Sequence, residues 1–558
     1  MNQGKVNNGG QDNHTPEIDQ GLTWIKNKHE FKMGWGMRRP VTLGHDLAGT
    51  NGSYVFARNE TADPSALGTT GNSFASFLLG LPDSAGATAL PVTFGVPHYQ
   101  YYDFYFQDNW KVSPKLSLQL GMRYDIPINW YASIMGSVSL TTPNPAANNY
   151  PGAYVFPGSG PNRLGVTRFW PTDFSNIGPR AGFAYQLTQK TVLRGGFGIF
   201  YEATGNGGCG CTLGANGAFA QTSDGLNGPF QWDGGIPKPA GYQPPPFLSP
   251  SVGNGLAVDY MGPTFGKAPR IYNWSFNIQR EIGKWLIDVA YIGQRGHGLN
   301  STMDLNQVNP SYLYLGSLLQ QPISSPAVVA AGFSKPYPNF PNAGTLAQAL
   351  RPYPQFLNVW SRNSGQGQTW YDAGQVKVEH RFGGWQMQAT YVRSKTLGLM
   401  TYRQIFSQSQ VYLQDMYNVS QGKSYLPFDL PNVFNFINTY DLPFGTGKRF
   451  LNSSNRLLNA VVGNWTIADD HQYRSGALLA LNCTNTLGNG VLFTDARMCD
   501  ANGGPIRTGQ DRTSLNPNNP ASLYFNAAAF SVPGQLSFGT SSQYNSKFRQ
   551  PPVLIDQL

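Results

Sequence analysis

The ten residues Leu116–Asp125, LSLQLGMRYD, alternate without a break. In an extended chain Leu116, Leu118, Leu120, Met122 and Tyr124 fall on one side, and Ser117, Gln119, Gly121, Arg123 and Asp125 on the other. The same division separates Phe31, Met33, Trp35 and Met37 from Lys32, Gly34, Gly36 and Arg38. It recurs where Ala181, Phe183, Tyr185 and Leu187 oppose Arg180, Gly182, Ala184 and Gln186. Further on, Leu193, Phe197, Ile199 and Tyr201 oppose Arg194, Gly196 and Gly198, and Trp274, Phe276 and Ile278 oppose Ser275, Asn277 and Gln279. About twelve strands follow, near Gly21, Phe31, Tyr102, Leu116, Arg180, Leu193, Trp274, Ile287, Val376, Met387, Phe434 and Trp465.

Tight turns at 113–115, 188–190, 282–284 and 383–384 join these strands in pairs. Between the pairs lie long Gly/Pro/Asn/Ser-rich stretches, 39–98, 128–178, 203–270, 295–370 and 397–429. Unstructured loops of such length are rare inside compact soluble domains. Short turns at one end and long loops at the other are the topology of an antiparallel transmembrane β-barrel, with periplasmic turns and extracellular loops. Aromatic residues gather at strand ends, at Tyr99, Tyr101, Tyr102, Trp110, Phe200 and Tyr201, where a membrane barrel places its interfacial girdle. The competing expectation is a soluble all-β protein whose aromatics pack a core.

Composition narrows the function classes. Gly (65) and Pro (41) make up about a fifth of the 558 residues, which disfavours long helices, and charged residues are only 12%, so charge-driven disorder is excluded. The net charge of +9 is not gathered into a basic block, so no nucleic-acid partner is expected. No run of about 18 apolar residues is present, and a membrane reading therefore rests on strands.

Catalytic motifs do not emerge. The seven histidines are scattered singly, and Cys209, Cys211, Cys483 and Cys499 fit no zinc spacing; they read as loop thiols or one loop disulfide between Cys483 and Cys499. The run Gly205–Cys211 lacks the helix a phosphate loop needs, and Gly445–Arg449 reads as a turn. No nucleophile elbow is found. No catalytic residue, metal site or cofactor is expected. The candidate functional residues are instead those on the polar strand faces, Arg123, Asp125, Arg194, Lys377, Glu379 and Arg381, which a barrel would turn to its lumen. Phe31, Met33, Trp35, Leu116, Leu118, Leu120, Met122, Phe183, Phe197 and Phe276 would face lipid.

Several segments in series resemble the barrel region of Oar-like TonB-dependent outer-membrane receptors. They are Gly71–Pro82, Tyr105–Leu116 running into Leu120–Asp125, Gly178–Tyr185, Thr191–Tyr201, Trp274–Glu281, Val289–Gly293, Asp304–Gln307, Arg351–Pro354, Thr390–Lys395 and Leu442–Gly445. The resemblance covers about 31–481 and implies a plugged barrel of about 22 strands in the outer membrane of a Gram-negative bacterium. About twelve are recognisable, and no signal, plug-like segment or coupling box precedes the first hairpin, so the chain looks like a fragment. The organisation read from this is a polar leader at 1–20, a partial barrel at 21–481, and a long loop with a truncated end at 482–558. Asp469, Asp470 and His471 depart from the family's pattern and put at least one acidic residue on the lipid side if alternation holds.

The resemblance implies a transporter that takes up a scarce solute, with outer-membrane lipid, an unidentified solute and, through a plug, the TonB energy-coupling complex as partners. Two alternatives stand beside it. One is a secreted soluble carbohydrate-binding or carbohydrate-active protein, which would need paired carboxylates from among Asp415, Asp429 and Asp441. The other is a passive outer-membrane scaffold or adhesin.

Overall fold

Neighbouring strands joined by two-residue turns can only pair with each other, and the chain forms a continuous meander. The computed structural model describes residues 2–3, 9–39, 41–46, 53–63, 69–89, 100–128, 136–161, 163–202, 216–221, 231, 233, 248–362, 364–399, 413–452, 456–483, 487, 498–511, 514–516, 518–519 and 521–557. Thirteen strands build the main sheet. They are β1 (Glu17–Lys26), β2 (His29–Arg38), β3 (Gln100–Ser113), β4 (Leu116–Ile128), β5 (Ile177–Thr188), β6 (Thr191–Tyr201) and β7 (Arg270–Ile282). The series continues with β8 (Trp285–Leu299), β9 (Gly367–Phe382), β10 (Trp385–Leu399), β11 (Asn432–Asp441), β12 (Thr466–Arg474) and β13 (Val553–Gln557). Each pairs antiparallel with the next in chain order, and a short strand, Ser424–Tyr425, flanks β10 to complete fourteen.

Strands β1 to β12 are those the alternation marks. Strand β13 lies in the stretch read as a long loop, 482–558, and pairs with β12 from Asp470↔Gln557 to Arg474↔Val553. Its five residues, straight after Pro551 and Pro552, are too few to show a period. At the short-turn end, Asn27, Gly283 and Gly383 take positive φ of 54°, 62° and 58°, which closes the hairpins tightly.

Direct partners across an antiparallel pair share a face, so the register follows a face through the sheet. One row reads Tyr185, Leu193, Ile278, Val289, Val376, Tyr391, Phe434 and Tyr473. The row one residue along reads Gln186, Val192, Gln279, Asp288, Lys377, Thr390, Asn435 and Gln472, on the opposite face. Glycines on the apolar face make room for rings. A Cβ on Gly195 would stand 2.5 Å from the Phe183 ring, and one on Gly293 would stand 2.3 Å from Trp274.

Among the described residues nothing covers the apolar face. Leu120, Met122, Phe197, Phe276 and Val289 are 43%, 49%, 45%, 44% and 49% exposed. A soluble sandwich buries these positions against a second sheet, so the soluble packing is not the one formed. From Trp110 to Tyr102 along β3 the apolar face runs eight residue steps, about 27 Å at strand rise, which a barrel strand's tilt of about 40° projects to a height of about 21 Å, comparable with the ~25 Å band of outer-membrane barrels.

The close-packed cores sit in the long connections instead. Val138, Tyr154, Phe156, Val258, Phe356 and Val359 form one cluster, and Val308, Leu319, Ile323, Val328, Phe340 and Leu346 anchor another. A hairpin (Ser137–Asn144 with Tyr150–Val155) and a small sheet of Val258–Tyr260, Met303–Asp304 and Val359–Ser361 frame the first. The stretches that composition marks as loops are thus, over 136–161, 248–269 and 300–362, a folded cap at one end of the sheet.

Candidate functional site

The register gathers all six polar candidates onto one face and all ten apolar candidates onto the other. Leu118 pairs with Trp110 and Phe183, Met33 with Phe106, Phe31 with Trp24, and Phe197 with Trp274. Across the same strands Arg123 pairs with Tyr105 and Gly178, Arg194 with Ala184 and Asn277, and Lys377 with Asp288 and Thr390.

The polar six divide into three groups. Arg123 donates through Nε to Asp125 at 2.8 Å and forms an ion pair through Nη2 with Asp103 at 3.0 Å, while Tyr101 donates its hydroxyl to Asp125. Asp103 and Asp125 are both 4% exposed, and Arg38, itself 2.9 Å from Glu17, lies 3.9 Å from Asp103. Two buried carboxylates are thus held by one guanidinium at the long-loop end of β1–β4. Lys377 pairs with Glu379, and Arg381 lies 3.8 Å from that carboxylate, on β9 toward the short turns. Arg194 is exposed and stands apart on β6, on the wall of a cavity of about 1050 Å³ also lined by Gln107, Gln119, Arg180, Asn277 and Gln294.

One sequence expectation needs correction. Tyr101 and Phe200 are not girdle residues. Both lie on the polar face, where Tyr101 is buried against Asp125 and Phe200 carries the Arg180 guanidinium 4.5 Å above its ring. Tyr102, Trp110 and Tyr201 do take the apolar face, and Tyr99 lies outside the described residues. The apolar face also bears rings at both ends: Trp24, Trp110, Trp285 and Trp385 near the turns, and Tyr124, Tyr272 and Trp370 near the cap.

The register of β12 runs through without a slip, and alternation holds there. Asp470 falls on the polar face opposite Ile437, and Asp469 and His471 on the apolar one opposite Asn438 and Phe436. Asp469 accepts from Asn438 at 2.8 Å and lies 3.1 Å from the His471 ring, whose Nδ1 is 2.6 Å from Asp556 of β13. Strand β13 supplies the partner that the sequence reading lacked. Asp108 likewise stands on the apolar face, opposite Phe31, and is held by His29 at 2.7 Å.

The carboxylates required by a carbohydrate-active reading are each engaged separately. Asp415 accepts from Gln307 at 2.9 Å, Asp441 from Thr466 at 2.7 Å, and Asp429 holds Arg549. Among the described residues no group of three or more His, Cys, Asp or Glu could hold a metal. Cys483 and Cys499 form a disulfide, while Gly205–Cys211, with Cys209 and Cys211, lies outside the described residues.

Two motifs with no obvious chemistry meet in the cap. Asn306, fully buried, donates to the carbonyls of Tyr353, Phe356 and Leu357 at 2.9–3.1 Å and accepts from Tyr353 N at 2.8 Å. Asp304 accepts from Asn306 N, Val359 N and Asn358. Burial lifts the Asp304 carboxyl above its usual range and pushes the Arg351 guanidinium below its own, and each charge counters the shift of the other. Asp304–Gln307 and Arg351–Pro354 are therefore a structural lock between distant loop segments.

A meander with one exposed apolar face, rings at both margins and a row of polar and charged side chains on the other face is a membrane-spanning sheet of the outer-membrane kind. The family model described as the outer membrane beta barrel domain matches residues 1–554, and the chain belongs to that family. It is an outer-membrane protein. Among solved structures it is similar to the FrpB iron transporter (F3-3 variant) of Neisseria meningitidis, at 10% identity over 84% of this chain and 44% of that one, with a TM-score of 0.35. It is also similar to the outer membrane transporter YddB of Escherichia coli (10%, 86% and 44%, TM-score 0.36) and the alcaligin outer membrane receptor FauA of Bordetella pertussis (10%, 85% and 48%, TM-score 0.31). The chain spans less than half the length of these structures. No curated protein matches the sequence.

Proposed function

We propose that the chain forms the barrel wall of a TonB-dependent transporter, which takes up a scarce solute through a plugged lumen with energy drawn from the inner membrane. The observation that carries this reading is the division of the sheet into an apolar face and a polar one, the acids Asp108 and Asp469 on the apolar side each being held by a histidine. The apolar face is the surface toward lipid. Arg123, Asp125, Arg194, Lys377, Glu379 and Arg381 stand on the surface toward the solute path and the plug, and the role of the wall is conduction rather than catalysis.

The polar residues differ in what they do. Arg123 neutralises Asp103 and Asp125, so its truncation leaves two buried carboxylates uncompensated and weakens the sheet. Arg194 is exposed on the cavity wall and is the better probe of passage. In a Gram-negative host expressing the receptor, mass spectrometry of the medium should find a solute whose depletion needs both the receptor and a working TonB. Arg194→Ala should change that depletion severalfold while the amount of receptor in the outer membrane stays constant. Depletion that is the same with and without TonB would leave the passive scaffold as the better reading.

A further inference from the structure

A second cavity, of about 690 Å³, opens between the long-loop ends of β9–β12 and the segment 507–552. Four basic side chains, Arg393, Lys395, Arg507 and Arg549, line it against two acidic ones, Asp372 and Asp429. Both acids are already engaged. Asp429 holds Arg549 and accepts from Thr396 N at 2.5 Å. Asp372 accepts two bonds from Arg295 at 3.0 Å and one from the Tyr291 hydroxyl at 2.7 Å, although it stands opposite Lys395 in the register. Arg393, Lys395 and Arg507 are exposed and form no ion pair among the described residues. Arg393 donates to Asn432 at 2.8 Å, and Lys395 and Arg507 lie over the rings of Tyr425 and Tyr524 at 5.5 and 5.3 Å.

The face these cations occupy decides their partner. Arg393 pairs with Gly374 and Asn432, and two residues further along the same face Tyr391 pairs with Val376 and Phe434. Arg393 therefore stands one same-face step, about 7 Å, beyond Tyr391, and Lys395 two steps, about 14 Å, both on the apolar side of the sheet and not on the side of the polar wall, and Arg507 lines the same cavity. A cluster placed to steer a solute into the lumen would lie on the opposite face. Lys423, 4.0 Å above the Trp370 ring, adds a cation at the same margin.

We propose that this cavity binds the phosphate of a phosphorylated glycolipid in the leaflet on the long-loop side, with the acyl chains lying along Tyr391, Val376 and Phe434. The inference rests on the apolar face meeting lipid. Arginine matches phosphate in a bidentate manner, and the apolar surface adjoining the cations favours a lipid-borne phosphate over a free one.

The test places the full chain in nanodiscs of phosphatidylcholine alone and of phosphatidylcholine with diphosphoryl lipid A. Wild type should insert into both and retain lipid A selectively. Arg393→Gln, Lys395→Gln and Arg507→Gln together should insert equally but lose roughly a hundredfold in lipid A retention, about fivefold per cation. Lys395→Gln alone should lose about fivefold and serves if the triple variant fails to fold. Lys190→Gln, at the other end of the sheet, should change nothing. Insertion without preference for lipid A overturns this proposal alone, as does full displacement by millimolar inorganic phosphate, which identifies a free-anion site. Failure to insert into either disc overturns the membrane reading beneath it.

Discussion

Replacing Leu120 and Met122 together by Arg should prevent the protein from accumulating in the outer membrane. Met122 pairs with Phe106, midway between Trp110 and Tyr102 on the apolar face, and Leu120 stands two residues nearer the turns. An arginine on the lipid side costs about 2–4 kcal/mol at the midplane and about 0–1 kcal/mol near the interface. Two near the middle remove about 4–8 kcal/mol, which approaches the whole stability of an ordinary domain. Leu118→Arg, opposite Trp110 at the margin, should cost less than Met122→Arg, and Gln119→Arg on the other face should cost little. Urea unfolding in lipid vesicles measures the series. Equal costs at Leu118, Gln119 and Met122 would mean that neither face meets a bilayer.

Arg549→Ala should release the end of the chain from the sheet. Arg549 is 5% exposed and Asp429 fully buried; the guanidinium reaches the Asp429 carboxylate and also donates to the Asp429 carbonyl at 2.6 Å and the Ser546 carbonyl at 2.8 Å. Removing one partner of such a pair costs about 3–5 kcal/mol, because the other charge stays buried alone. Hydrogen exchange should speed up over Tyr544–Arg549 and Val553–Gln557 and leave β3–β8 unchanged. The double variant Asp429→Asn, Arg549→Leu should recover part of the loss, since no uncompensated charge remains. If Arg549→Ala left exchange unaltered, the ion pair would not be what holds β13 against β12.

Twelve of the thirteen strands were legible because the sheet has two chemically opposed sides, and a period of two shows plainly when one side is Leu, Phe and Trp and the other Gly, Gln and Arg. The same contrast placed Arg123, Asp125 and Arg194 on one face without any knowledge of pairing. It could not show that Arg123 holds Asp103 as well as Asp125, because β3 and β4 must first be set in register. Tyr101 was misread for a related reason: three neighbouring aromatic positions at a strand start look like a girdle until alternation separates Tyr101 from Tyr102. The cap was hidden more deeply. Its order comes from side-chain amides bonded to backbone carbonyls, as at Asn306 and at Gln355, which donates to Pro151 and Gly152 from some two hundred residues away. Such bonds leave no period in the sequence, and Gly/Pro/Asn-rich stretches that use them read as loops.

Which face of the sheet meets lipid decides whether Arg123 and Arg194 stand toward the lumen. Single nitroxide labels at positions 118 to 123, in protein reconstituted in vesicles, report this directly through their collision rates with oxygen, which concentrates in lipid, and with a water-soluble nickel chelate. Oxygen accessibility should peak at 118, 120 and 122 and nickel accessibility at 119, 121 and 123. The opposite phase would place Arg123 against lipid and contradict the transport reading, and equal accessibility to nickel at all six would show that the strand does not cross a membrane.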